Sequence, residues 1–250
     1  MTHNEKAPGE IQLVHNNPWE TLRQFTAARI ALGRTGSSLP TQELLRFGLA
    51  HAQARDAVHQ PFDSESLETE LQQLGLKTLT VASAAPDRAT YLCRPDLGRK
   101  LSEESRQSLQ SLTVKPSDVV LIVADGLSSK AVHRQAVPLI RALLPYLNTL
   151  ELTLGPVVLA HQSRVALGDD IAQVMKAKAV AILIGERPGL SSPDSLGIYM
   201  TWGPHTKRLE SERNCISNVR PEGLNYPQAA FKLAWPVSYT HLTLPTTERV

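Results

Sequence analysis

Apolar positions follow two different rhythms along this chain. Over the first hundred or so residues they recur at helical spacing. Asn17 can cap a helix with Pro18 at its first position, and Trp19, Leu22, Phe25 and Leu32 then form an apolar stripe that Gly33 and Gly36 end. A second helix is predicted from Thr41, with Leu45, Leu49 and Ala52 on one face, ending before Pro61. A third runs from Ser64 to Leu74, with Leu67, Leu71 and Leu74 aligned and Gly75 as its stop. Thr78–Val81 and Thr90–Cys93 read as short strands, and Pro86-Asp87 between them predicts a small hairpin. A further helix opens within Arg94–Leu101 and reaches about Leu112, and Lys115-Pro116-Ser117 then reads as a domain boundary.

The second rhythm is one of unbroken apolar runs alternating with helices. Val119–Ala124 and Ala179–Ile184 read as strands buried on both faces, with another strand near Pro156–Ala160. Helices are expected at about 130–147 and 169–177. Strands alternating with helices predict an α/β, Rossmann-like fold. Its sheet should be mostly parallel and flanked by helices, with a smaller, mainly helical N-terminal region before it. The expected organisation is a flexible lead-in at 1–16, the helical region with its hairpin at 17–114, and the sheet domain at 115–235. A last helix starts at Pro227 and is expected to stop at Trp235. Residues 236–250 read as the in-frame translation of a sequencing adapter, a non-native tail, so His241 is set aside.

Composition narrows the class. The chain has 250 residues, 42% of them hydrophobic and 20% charged, which describes a globular protein rather than a disordered one. Lys and Arg number 26 against 24 Asp and Glu, a balance too even to argue for nucleic acid. No apolar run approaches the roughly 20 residues of a membrane span. Met1–Lys6 has no hydrophobic stretch behind it and does not read as a secretory signal. The two cysteines, Cys93 and Cys215, lack zinc-ligand spacing and a disulfide framework, so a reducing cytoplasm is expected.

In an open parallel sheet, ligands sit beyond the carboxyl ends of the strands. Two loops hold such positions. Asp125–Ser129 offers a glycine for positive φ and serines to cap the next helix. It is either an anion site or an ordinary strand-to-helix turn. Gly185-Glu186-Arg187-Pro188-Gly189-Leu190 sets two charges after a buried strand, to bind a polar ligand or to pair with each other. There is no Gly-x-Gly-x-x-Gly, no phosphate-binding P-loop and no Gly-x-Ser-x-Gly. Cys215 beside Ile216 reads as a buried thiol, and His51, His133 and His161 read as scattered, satisfied polar groups.

Taken together, several segments resemble the small (light) subunit family of ethanolamine ammonia-lyase. They are Thr26–Gly36, Leu39-Pro40-Thr41, Ala54–Val58, Tyr91–Arg99, Asp125–Ser128, Ser163-Arg164-Val165, Gly185–Leu190 and Cys215–Asn218, in family order over about residues 17–235. The resemblance implies a subunit of an ammonia lyase that converts ethanolamine to acetaldehyde and ammonia with adenosylcobalamin. The substrate and the catalytic residues would sit on a large barrel subunit, and this chain would cover the cofactor at the interface. It implies cofactor contacts at Val165, Glu186 and Cys215. Cobalamin would keep its own base on cobalt, so no metal-ligating histidine is expected, and the family often works inside a bacterial microcompartment. A non-catalytic assembly or scaffolding protein with the same fold is the alternative.

Overall fold

The computed structural model describes residues 14–112 and 115–242, the last six as backbone. The expected lead-in up to residue 13 and the tail after 242 lie outside the described residues. The chain divides into two compact units, 1–54 and 55–250. The expected boundary near Lys115 lies inside the second.

In the first unit a single 3₁₀ helix, Glu20–Phe25, replaces the longer α-helix expected from Trp19 to Leu32, and none of its residues is buried. Among the described residues the apolar stripe is left largely uncovered: Trp19 is 65% and Phe25 78% exposed. His15 and Arg34 exchange two backbone hydrogen bonds. Helix α1 (Thr41–His59) crosses the division. Leu45 and Leu49, its expected buried face, are exposed, together with Leu44 and Phe47.

The second unit is built on a mixed six-stranded sheet: β1 (Thr78–Ala82), β2 (Val119–Ala124), β3 (Val157–His161), β4 (Ala179–Gly185), β5 (Leu196–Trp202) and β6 (Asn214–Val219). The spatial order is β1-β3-β2-β4-β5-β6. The strands from β1 to β4 pair in parallel, while β5 runs antiparallel to β4 and β6 antiparallel to β5. The expectation of a mostly parallel, Rossmann-like sheet is corrected accordingly. The α/β architecture stands, but the sheet closes with an antiparallel meander.

Strand periodicity sorts the core into two layers. Val119, Leu121 and Val123 of β2 pack with α2 (Ser64–Gln73), α5 (Ser129–Thr149) and α7 (Tyr226–Leu242) on one face. Val120, Ile122 and Ala124 pack with α4 (Glu103–Ser111) and α6 (Leu167–Val174) on the other. Side-chain caps start these helices where the sequence has Asp or Ser. Asp63 accepts from Ser66 N, Ser102 from Ser105 N and Ser128 from Ala131 N.

Three further expectations are corrected. Thr90–Cys93 is no strand: α3 (Arg88–Cys93) is a helix whose N-cap, Asp87, accepts from Thr90 N at 2.7 Å, so Pro86-Asp87 opens a helix rather than a hairpin. Arg94–Leu101 forms only a 3₁₀ turn, Leu97–Arg99, before α4. Helix α7 does not stop at Trp235 but continues through Pro236, where the ladder loses one donor without ending. No helix among the described residues is long and apolar enough to cross a membrane.

Candidate functional site

The connection β2–α5–β3 leads to one side of β2, and β3–α6–β4 crosses back to the other. The carboxyl ends of β2 and β4 therefore meet where the strand order reverses, the place open α/β sheets use for ligands. Two glycines allow the approach. Gly126 has φ of 56°, and a Cβ there would lie 2.5 Å from Ile184 Cγ1 and closer still to the Gly185 carbonyl oxygen. Leu127 N donates to that same oxygen at 2.9 Å.

The Asp125–Ser129 loop is held as a tight strand-to-helix turn: Gly126 N donates to Asp125 Oδ1 and Ala131 N to Ser128 Oγ. Asp125 is buried and accepts from Gln162 N at 3.0 Å and Ser163 N at 2.9 Å, while Arg88 Nη1 pairs with it at 3.2 Å. Burial dominates and pushes its carboxyl up to about 6, against the pull of these donors. Arg88 and Arg164 both lie over the Tyr91 ring, at 4.9 and 4.4 Å from its centroid. The Tyr91 hydroxyl donates to Ser163 O, and burial raises its pKa further. Arg88 Nη2, Gln162 Oε1 and Arg164 Nε are buried without a hydrogen-bond partner, so polar capacity around the end of β3 is left over.

The more open chemistry lies one strand further along. Glu186 follows β4, and its carboxylate reaches across β5. Ser195 Oγ donates to Oε2, Ser217 Oγ to Oε1 at 2.5 Å, and Asn218 N to Oε2 at 3.3 Å. None of these donors is Arg187, so the local ion pair held open by the sequence is replaced by a hydroxyl and backbone cradle. Cys215 stands on β6 directly opposite Tyr199 of β5. It is an exposed, free thiol, not the buried one expected, because β6 is an edge strand with mostly exposed residues. Tyr199 is pushed up to about 12, first by burial and then by its hydrogen bond with the Cys215 side chain and the nearby Glu186 charge. Val165, just before α6, is partly buried against the same hydrophobic layer as Tyr199.

Glu186, Tyr199 and Cys215 thus come together on the β4–β6 portion of the sheet, and Val165 packs on the same layer. Ser195, Gly197, Tyr199 and Ser217 were not singled out in the sequence. The alternation of Leu196, Ile198 and Met200 with Gly197, Tyr199 and Thr201 along β5 was the signal that could have found that strand. The histidines prove to be satisfied where their partners are seen: Asp63 N donates to His133 Nε2 at 3.1 Å, and His161 Nε2 lies 3.0 Å from Ser64 Oγ. No cluster of three or more metal-ligating side chains occurs among the described residues.

Comparison with known proteins covers nearly the whole chain. The family model described as Ethanolamine ammonia-lyase light chain (EutC) matches residues 16–243. The ethanolamine ammonia-lyase small subunit of Pseudomonas fluorescens (strain Pf0-1) is 53% identical over 234 residues, 92% of this chain and 84% of that protein. The small subunit from Ralstonia nicotianae is 52% identical over 225 residues, 89% and 83% of the two chains. That from Pseudomonas aeruginosa (strain LESB58) is 53% identical over 222 residues, 88% and 81%. The chain belongs to the ethanolamine ammonia-lyase light chain family.

Proposed function

We propose that this chain is the small subunit of an adenosylcobalamin-dependent ethanolamine ammonia-lyase, and that the β4–β6 face covers the cofactor against the large subunit. The observation that carries the reading is the Glu186 carboxylate, laid across β5 and fastened by Ser195, Ser217 and Asn218, with the exposed thiol of Cys215 on the adjoining strand. The residues fit the group. A corrin is rimmed with amide side chains, and a carboxylate accepts hydrogen bonds from amides. The unpartnered buried atoms of Gln162 and Arg164 add polar capacity next to Val165 in the sequence.

When bound, adenosylcobalamin supplies radical chemistry through homolysis of its cobalt–carbon bond. The residues of this chain would do the rest of a lid's work. Glu186 would accept from the rim amides, Val165 would give apolar contact, and Cys215 would pack at the edge. The large subunit would hold ethanolamine and the groups that act on it. The first unit offers large apolar side chains to such a partner: Trp19, Phe25, Leu45 and Leu49 are exposed there.

The test is co-expression with a matching large subunit, assaying acetaldehyde formed from ethanolamine with and without adenosylcobalamin, beside Glu186→Ala. The expected result is cofactor-dependent turnover that requires both chains, with cobalamin affinity weakened in the variant. A stable two-chain complex that neither binds cobalamin nor turns over would favour a scaffolding role instead.

A further inference from the structure

Gly197 is the second residue of β5, opposite Ile184 of β4, and its φ is not among the positive values of the described residues. Its backbone is ordinary strand, so conformational freedom is not the reason for a glycine there. Space is the reason that remains. A Cβ at Gly197 would stand 3.0 Å from Glu186 Oε1 and 3.1 Å from Glu186 Cγ, and 3.3 Å from Tyr199 Cε2. The Glu186 side chain therefore lies over the bare backbone of β5 on its way to Ser217 and Asn218 of β6. Asn218 itself has φ of 60°, the left-handed turn in which its N–H meets the carboxylate.

We propose that Gly197, Ser195 and Ser217 are positioning residues that hold the Glu186 carboxylate flat across β5, presenting it to an amide donor of the cofactor. The inference rests on the cofactor-covering reading above. It goes further by assigning the affinity of Glu186 to a cradle spread over two neighbouring strands. A carboxylate has about four lone-pair sites. Three are taken by Ser195, Ser217 and the Asn218 N–H, which leaves one for a neutral N–H donor and fixes where that donor must stand. Loss of the cradle frees the side chain to rotate into solvent, so the ligand must then order it on binding.

The experiment uses the two-chain complex and reads cobalamin binding directly from the shift of its visible spectrum on titration, with activity at saturating cofactor as a second readout. Gly197→Ala, Ser217→Ala and Ser217→Thr are compared with the natural chain and with Glu186→Gln. Gly197→Ala presses on side-chain atoms alone, those of Glu186 and the edge of the Tyr199 ring, and on no backbone, so the fold is expected to survive, and thermal unfolding of the complex checks this. The expected result is a Kd raised about 3- to 10-fold in Gly197→Ala and Ser217→Ala, with kcat within about 2-fold of the natural complex, and recovery in Ser217→Thr. The inference is overturned if Glu186→Gln weakens binding while Gly197→Ala and Ser217→Ala bind like the natural chain. If the natural complex binds no cobalamin, or Glu186→Gln binds as well as it does, the underlying reading fails and this one falls with it.

Discussion

Gly185→Ala tests the contact on which the whole site is built. Gly185 ends β4, and a Cβ added there would lie 2.6 Å from the Asp125 carbonyl oxygen and closer still to that of Ser128. Both obstacles are backbone atoms of the loop after β2, so no rotamer change can relieve them. Overpacking costs about 1–3 kcal/mol even where side chains can yield. Pushing the loops apart also strains the buried hydrogen bond from Leu127 N to Gly185 O, about 1–3 kcal/mol more. The expected loss is therefore ~2–6 kcal/mol, a large share of the roughly 5–15 kcal/mol that holds a domain together. For a unit of this size that lowers the melting temperature by about 4–24 °C. The natural control is Gly48→Ala, in α1, where a Cβ meets nothing within 4 Å. There the change restores helix propensity and stabilises by about 0.5–1 kcal/mol. Urea unfolding followed by far-ultraviolet circular dichroism measures both. A Gly185→Ala chain within about 1 kcal/mol of the natural one would refute the claim that β2 and β4 meet through bare backbone.

The remaining predictions concern buried polar groups. Arg213 and Asp169 are paired with side chains each 2% exposed, so Arg213→Met strands a buried carboxylate. The expected loss is about 3–5 kcal/mol in urea unfolding, partly recovered by adding Asp169→Asn, and a loss under 1 kcal/mol would contradict the pairing. Burial raises Asp125 from 3.8 to about 6, so the folded state binds that proton more tightly than the unfolded chain. The stability this group contributes is complete below about pH 4 and is lost as pH rises through about 6. Relative to Asp125→Asn, the natural chain should lose up to ~3 kcal/mol across that window, and a flat difference curve would refute it. Ser128 caps α5 and its hydroxyl donates to Pro193 O at 2.8 Å, so Ser128→Ala should cost about 1–2 kcal/mol, read as a lower melting temperature.

The sequence alone carried the parts whose signal is local. The β2 and β4 runs are buried at every position, and their continuous apolar character announces this without any knowledge of neighbours. The cap of α5 at Ser128 and the positive φ of Gly126 follow from residue type. The family was legible from motif order. The exposure of the apolar residues of α1 and of the 20–25 helix was not legible, because periodicity shows that a face is apolar but not whether anything covers it. The polar strand β6 was invisible for the converse reason: its residues are exposed on an edge, and only pairing with β5 makes them a strand. Thr90–Cys93 has strand-like residues but folds as a helix because Asp87 caps it, a local bond that outweighs a weak β preference. The exposure of Cys215 and the cradle of Glu186 were decided by tertiary structure alone. Ser195 and Gly197 lie beside and on β5 and Ser217 lies on β6, and only the antiparallel register of β4, β5 and β6 brings them to one carboxylate.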